Sequence, residues 1–281
     1  MEEIEATILA KGAPNLTSDG RKVICSIAVS ETHGLVRFYP LHVTEHKSIK
    51  IWTKAVFRCS RGKKDTRRES WRVDDYEITG AVESPQDKRD VLESCILHSG
   101  TVEPVAYQNE QRASIAIVKP HGLIGAELQP RHELKQFNES EDEDGFAMVQ
   151  ANFPYKPYVT WYPVQRDPQT KDPLRMQLVG QEVYEGMRKF SSTPFRVFEN
   201  LRIGDVDYEH WMILGNINNR RNTWVVAHLH RQKKVQQADM LSSLWTTDGR
   251  REGWPYLMQE EGNARDAGPQ MQFSFITDGT K

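Results

Sequence analysis

Residues 49–59, IKIWTKAVFRC, set Ile49, Ile51, Thr53, Ala55 and Phe57 on one side and Lys50, Trp52, Lys54 and Val56 on the other. A period of two is the pattern of a β-strand with one buried face. Similar strand character marks KVICSIAVS (22–30), GLVRFYPLHV (34–43), WRVDDYEITGAVE (71–83) and SIAIVKPHGLIGAEL (114–128). Gly34 and Pro40 bound the second of these, as turn residues bound short strands. One helix interrupts the series: Ser84 is placed to cap it, Pro85 stands in its first turn, and Gly100 follows its expected end near His98. Short strands, one helix and frequent turns predict a small barrel rather than a parallel α/β sheet.

The acidic run NESEDEDG (138–145) reads as a solvated loop or boundary. Beyond it FAMVQANF and PYVTWYPV are strand-like, and QRDPQTKDP is a proline-bracketed turn. RMQLVGQEVYEGMRKF (175–190) predicts a helix and FRVFENLRI (195–203) a strand. DVDYEHWMILGNI (205–217) fits either, and TWVVAHLHRQKKV (223–235) is the clearest strand of this half. The expected fold is mainly β with some helix (α+β), in two barrel halves. Residues 1–135 would hold the first barrel and the helix inserted in it. Residues 136–281 would hold the second and a loop-rich tail.

At 281 residues the chain is long enough for two such cores. Its 38% apolar and 27% charged residues fit a polar globular protein. No apolar run nears the roughly 20 residues of a membrane-spanning helix, and the opening MEEIEATILAKG is acidic where a secretory signal is basic. Cys25, Cys59 and Cys95 are scattered, without a CxxC, as reduced thiols are. A cytoplasmic protein without a membrane partner is expected.

Local charge departs from the net charge of −2. RCSRGKKDTRRESWR (58–72) carries seven basic residues against two acidic ones. Placed after a strand, Arg61, Lys63, Lys64, Arg67, Arg68 and Arg72 would edge a loop beside Trp52 and Trp71. Charge for phosphates and aromatic faces for bases is the pairing that nucleic-acid sites use. Ion pairs of Asp65 and Glu69 with the arginines are the structural alternative. A second basic edge runs over Arg220, Arg221, His228, His230, Arg231, Lys233 and Lys234. His228 and His230, at i and i+2, have ligand spacing on a strand. Without a third ligand nearby they read as edge residues, so no metal and no cofactor is expected. Trp161, Trp211, Trp224, Trp245 and Trp254 read mostly as core.

The elements Arg37–Pro40, Asp65-Thr66-Arg67-Arg68-Glu69-Ser70 and Lys119-Pro120, with PFRVFEN, DVDYEHW and TWVVAHLHRQKK downstream, resemble a poorly characterised prokaryotic and phage family of dual OB-domain proteins. That family often carries cysteines near the last elements; this chain has none there. The resemblance implies two OB-like barrels, adds Arg37 to the nucleic-acid-contacting set, and implies work on nucleic acid in defence or mobile-element settings. It implies no reaction.

Enzyme signatures for nucleotide, dinucleotide, zinc-protease or serine-hydrolase chemistry are missing. The expected function is a non-catalytic subunit that binds single-stranded or structured DNA or RNA and works with another protein of a nucleic-acid-processing complex. A scaffold docking a nuclease, helicase or transposition partner is the first alternative. The second is a divalent-metal nuclease using carboxylates such as Asp74-Asp75 or Asp205-Asp207-Glu209.

Overall fold

The computed structural model describes residues 1–17, 20–42, 48–62, 65–96, 113–120, 122–132, 153–162, 173–218 and 220–234. Strands dominate. β1 (Glu2–Lys11), β2 (Asn15–Leu16), β3 (Lys22–Ser30), β4 (Gly34–His42), β5 (Thr53–Ser60) and β6 (Ser70–Ala81) form the first sheet. Because β1 pairs with both β3 and β5, and β6 runs parallel to β4, five long strands close into a barrel. Register shifts between Ile8 and Ala10, Ile24 and Ser26, and Arg58 and Cys59 supply the extra bend that a small ring needs. Ile4, Ile8, Phe38, Leu41, Ala55 and Phe57 fill it.

The predicted alternation in β5 holds, with Thr53, Ala55, Phe57 and Cys59 inward. Ile49–Trp52, however, lie before the strand. Trp52 takes a left-handed backbone (φ 74°), held by its amide on the Ile8 carbonyl at 2.7 Å and its carbonyl on the Val82 amide at 2.9 Å. The predicted helix is α1 (Pro85–Ser94), with Ser84 Oγ accepting from the Asp87 amide at 3.0 Å.

β7 (Ile115–Val118) and β8 (Gly122–Pro130) do not join the first ring, although the expected division at residue 135 put them there. They pair with β11 (Tyr208–Ile217) and β9 (Tyr155–Tyr162) respectively. β9 pairs with β10 (Leu174–Gln177), β11 with β12 (Arg220–Lys233), and a parallel bridge from Leu178 to Val226 joins the two sets. Taking β7 and β8 as one bent strand, the second ring repeats the strand order of the first, the Greek-key order of OB-type barrels. At the bridge Gly180 packs tightly: a Cβ there would lie 2.8 Å from the Ala227 carbonyl oxygen.

Between β10 and β11 the chain forms α2 (Gln181–Lys189) and α3 (Arg196–Asn200). The strand expected at 195–203 is therefore a helical turn. Its apolar residues Val197, Phe198 and Leu201 recur at helical spacing and pack into the second core. The helix expected over 175–190 begins only at Gln181. Trp161, Trp211 and Trp224 are buried, as read; Trp245, Trp254 and the acidic run 138–145 lie outside the described residues.

A third apolar cluster, with Leu9, Ile27, Leu92, Ile115, Trp211 and Ile213, fills the seam between the rings within the compact unit Met1–Lys234. α1 closes one end of that seam. Trp211 Nε1 donates to Glu93 at 3.1 Å, Lys119 pairs with Glu93 at 2.9 Å, and Arg89 pairs with Glu209. The helix follows the first ring in sequence and docks on the second.

Candidate nucleic-acid interface

The basic stretch connects β5 to β6, and its conformation is set by Asp65. That carboxylate accepts the Arg67 amide at 3.1 Å and Arg67 Nε at 2.8 Å, and pairs with Nη2 at 2.5 Å. Burial works to raise the Asp65 carboxyl, but its bonds with Arg67 prevail and hold it below the ordinary range. Arg67, only 8% exposed, sends Nη1 to the Asn216 carbonyl at 2.9 Å. Glu69 accepts from the Ser114 amide at 2.9 Å and from Ser114 Oγ at 3.1 Å. The Asp-Thr-Arg-Arg-Glu-Ser element thus ties the first ring to the β7 entry and the β11 exit of the second.

Arg37 belongs to the same seam. It is 5% exposed, and its Nη2 donates to the Ser114 carbonyl at 2.7 Å. Arg37 and Arg67, both expected to face nucleic acid, are instead spent on carbonyls between the rings. Buried guanidiniums need acceptors, and these seats supply them to both Nη atoms of Arg37 and to all three nitrogens of Arg67. Trp71 is also buried, with the Arg61 guanidinium 3.4 Å above its ring. Trp52 is half-buried and turns onto His230, ring centres 4.7 Å apart. Neither tryptophan presents an open face for stacking in the way expected.

Arg61, Arg68, Arg72, Arg220 and Arg221 are exposed. Arg72 pairs with Asp74 at 3.1 Å. Arg221, at the start of β12, donates Nη2 to Thr66 Oγ1 at 2.6 Å, bringing the β11–β12 turn against the β5–β6 loop. Each of these connections joins the last two strands of its ring, so equivalent loops of the two barrels meet. Lys63 and Lys64 lie outside the described residues.

The other basic residues of β12 are elsewhere. From Arg220 to Lys233 the strand runs 14 residues, about 43 Å at 3.3 Å per residue. Lys233 and Lys234 are exposed at its far end, near α1, where Gln232 donates to the Pro85 carbonyl at 3.1 Å. The two expected edges therefore meet only through Arg220 and Arg221. His228 and His230 are buried, not edge residues. His230 Nε2 donates to the Leu9 carbonyl at 2.7 Å, and His228 Nδ1 lies 3.3 Å from Glu182 Oε1 on α2. Glu182, which the sequence reading passed over, also accepts from the Leu229 amide and lies 3.8 Å from Arg231.

Among the described residues no three histidine, cysteine or acidic side chains gather as a metal group would require. Asp75 pairs with Arg58, Asp205 accepts the Asp207 amide, and Glu209 pairs with Arg89 and Lys119, so these carboxylates serve local ties. Burial pushes the Cys59 thiol up to about 12.

Residues 2–94 match the model of a family described as "Domain of unknown function (DUF8758)", a span running from β1 to the last residue of α1. Among solved structures, one described as a murine DNA binding protein bound with ds DNA aligns over 83% of this chain and 100% of its own, at 8% identity and a TM-score of 0.28. That likeness is too slight to support a shared fold. No curated protein matches.

Two expected outcomes follow. Arg67→Ala strands Asp65 and empties the seat at Asn216, and should cost about 3 kcal/mol or more. Arg68→Ala, one residue on and exposed, should stay within about 0.5 kcal/mol; urea denaturation of both variants compares them.

The second outcome concerns pH. Burial raises Glu182 from 4.5 to about 7 and lowers His228 from 6.5 to about 3, with Arg231 acting on both; Lys88 and His228 also bear on His230. The raised carboxyl contributes stability that is complete below its unfolded value and lost as pH rises through about 7. The lowered imidazole contributes stability present above 6.5 and lost on acidification towards about 3. Glu182→Gln should therefore cost more stability at about pH 5 than at about pH 8. An equal cost at both, by thermal melting, contradicts a proton held on Glu182.

Proposed function

We propose that the protein is a non-catalytic nucleic-acid-binding subunit that grips single-stranded or structured DNA or RNA along the edge where the two barrels' equivalent loops meet. The observation that carries this reading is the Arg221–Thr66 contact, which brings Arg220 and Arg221 to the loop bearing Arg61 and Arg68. OB-type barrels characteristically bind oligonucleotides with the loop between their last two strands. Here each barrel contributes that loop, and each loop carries exposed arginine. Of the loop's carboxylates, Asp65 is neutralised by Arg67, and Glu69 keeps its charge but turns it into the seam on Ser114.

Phosphate contacts of this kind are electrostatic and depend on salt. The defence or mobile-element setting, and a protein partner within such a complex, rest on the resemblance of the motifs to the dual OB-domain family; a cytoplasmic location rests on the scattered Cys25, Cys59 and Cys95.

The variant Arg61→Ala/Arg68→Ala/Arg220→Ala/Arg221→Ala should keep the fold and bind single-stranded oligonucleotides more weakly. Its logarithmic salt slope should fall by roughly 0.7 for each phosphate that no longer has an arginine to neutralise it. Lys233→Ala/Lys234→Ala, at the far end of β12, should leave affinity and slope unchanged. Fluorescence anisotropy across a salt series reads both. Unchanged affinity and slope in the arginine variant would move the protein to the class of interaction scaffolds.

A further inference from the structure

The arginine edge also carries exposed apolar surface that the phosphate contacts do not explain. Along β4, Val36 and Phe38 point into the first barrel, so Arg37 and Tyr39 point out. Arg37 is consumed in the seam, and Tyr39, the next outward residue, is 36% exposed. Phe38 is paired with Trp71 on β6, so Tyr39 stands at the end of the barrel where the β5–β6 loop enters that strand. Half-burial raises its hydroxyl, and the charges of Asp65 and Arg67 act on it, which places it beside the anchored part of that loop.

Arg67 in turn reaches Asn216, and the residue after Asn216 is Ile217, 40% exposed and paired with Arg220 in the β11–β12 turn. Tyr39 and Ile217 thus flank the Arg67 anchor, one contributed by each ring, with Arg61, Arg68, Arg220 and Arg221 exposed on the same loops.

Duplex and single strand make different use of such a surface. A duplex keeps its bases stacked inside and offers the loops phosphates, for which exposed tyrosine and isoleucine supply little. A single strand offers phosphates and unstacked bases together, and an aromatic face takes a base whatever its identity. Resting on the nucleic-acid reading above, we infer that Tyr39 is a base-stacking residue, that Ile217 packs beside the stacked base, and that the edge selects single-stranded over duplex nucleic acid. The positive charge around the two side chains complements this occupant.

The test uses the full chain with a short oligothymidylate, the same oligomer built with abasic sites, and a duplex of equal length. Tyr39→Leu keeps apolar volume on β4 and removes the π-face, whereas Tyr39→Phe keeps the face. Stacking of one base corresponds to a loss of about fivefold or more in affinity. We expect that loss for Tyr39→Leu on oligothymidylate, wild-type affinity for Tyr39→Phe, and no change on duplex. The abasic oligomer should bind wild type more weakly and lose nothing further in Tyr39→Leu. If Tyr39→Leu binds every probe like wild type while the arginine variant does not, the stacking role is wrong and the arginine edge stands. Equal loss on duplex and single strand also overturns it. If wild type binds none of the probes, both this inference and the function it rests on fall.

Discussion

Two buried guanidiniums hold the rings in register. Arg37 and Arg67 both belong to the first barrel, and both direct Nη1 to the carbonyl of Asn216 in the second. Like charges so close repel, and Asp65, beside Arg67, offsets the cost at short range. The apolar seam around Leu9, Ile27, Trp211 and Ile213 supplies attraction without direction. The carbonyls of Ser114 and Asn216 supply direction, because a hydrogen bond weakens steeply as the N–H turns away from its acceptor. Remove them, and two barrels of this kind have many ways to rest against each other. With them, the β5–β6 loop of one ring has its place beside the β11–β12 turn of the other.

This explains why a motif that looks like a ligand-binding loop is half fold. In Asp-Thr-Arg-Arg-Glu-Ser, alternate residues take opposite roles: Asp65, Arg67 and Glu69 face the seam, while Thr66 and Arg68 face out. Composition cannot separate Arg67 from Arg68. Only the partner strands do, and those come from residues about 50 and 150 positions away in the chain. The strand alternation of β5 and the Ser84 cap were legible because their causes are local, as was the barrel class. The assignment of β7 to the second ring was not, because its pairing with β11 spans more than 90 residues and leaves no local trace, and β8 follows β7 there by pairing forward with β9. The helical turn at Arg196–Asn200 was misread for a related reason. Its apolar residues fit either period over so short a stretch, and the packing decides.

β12 links the arginine edge to the seam. It begins at the arginine edge, crosses the second core at Val226, and carries His228 and His230 into the seam near Leu9. The histidine pair looked like ligands by spacing alone. Burial gives them another use: His230 ties β12 to β1, and His228 sits 3.3 Å from Glu182. Sequence reasoning had a signal for this, since both residues sit in the apolar stretch VVAHLH, where an exposed edge is the less natural setting.

The proposed nucleic-acid-binding edge draws on both barrels at once. Hydrogen–deuterium exchange of the full chain, titrated with a single-stranded oligonucleotide, reads both loops in one experiment. Peptides spanning residues 65–72 and 214–222 should gain protection together, at the same ligand concentration, while those spanning 228–234 do not change. Protection confined to one of the two loops, or appearing only around residues 228–234, would contradict a shared edge.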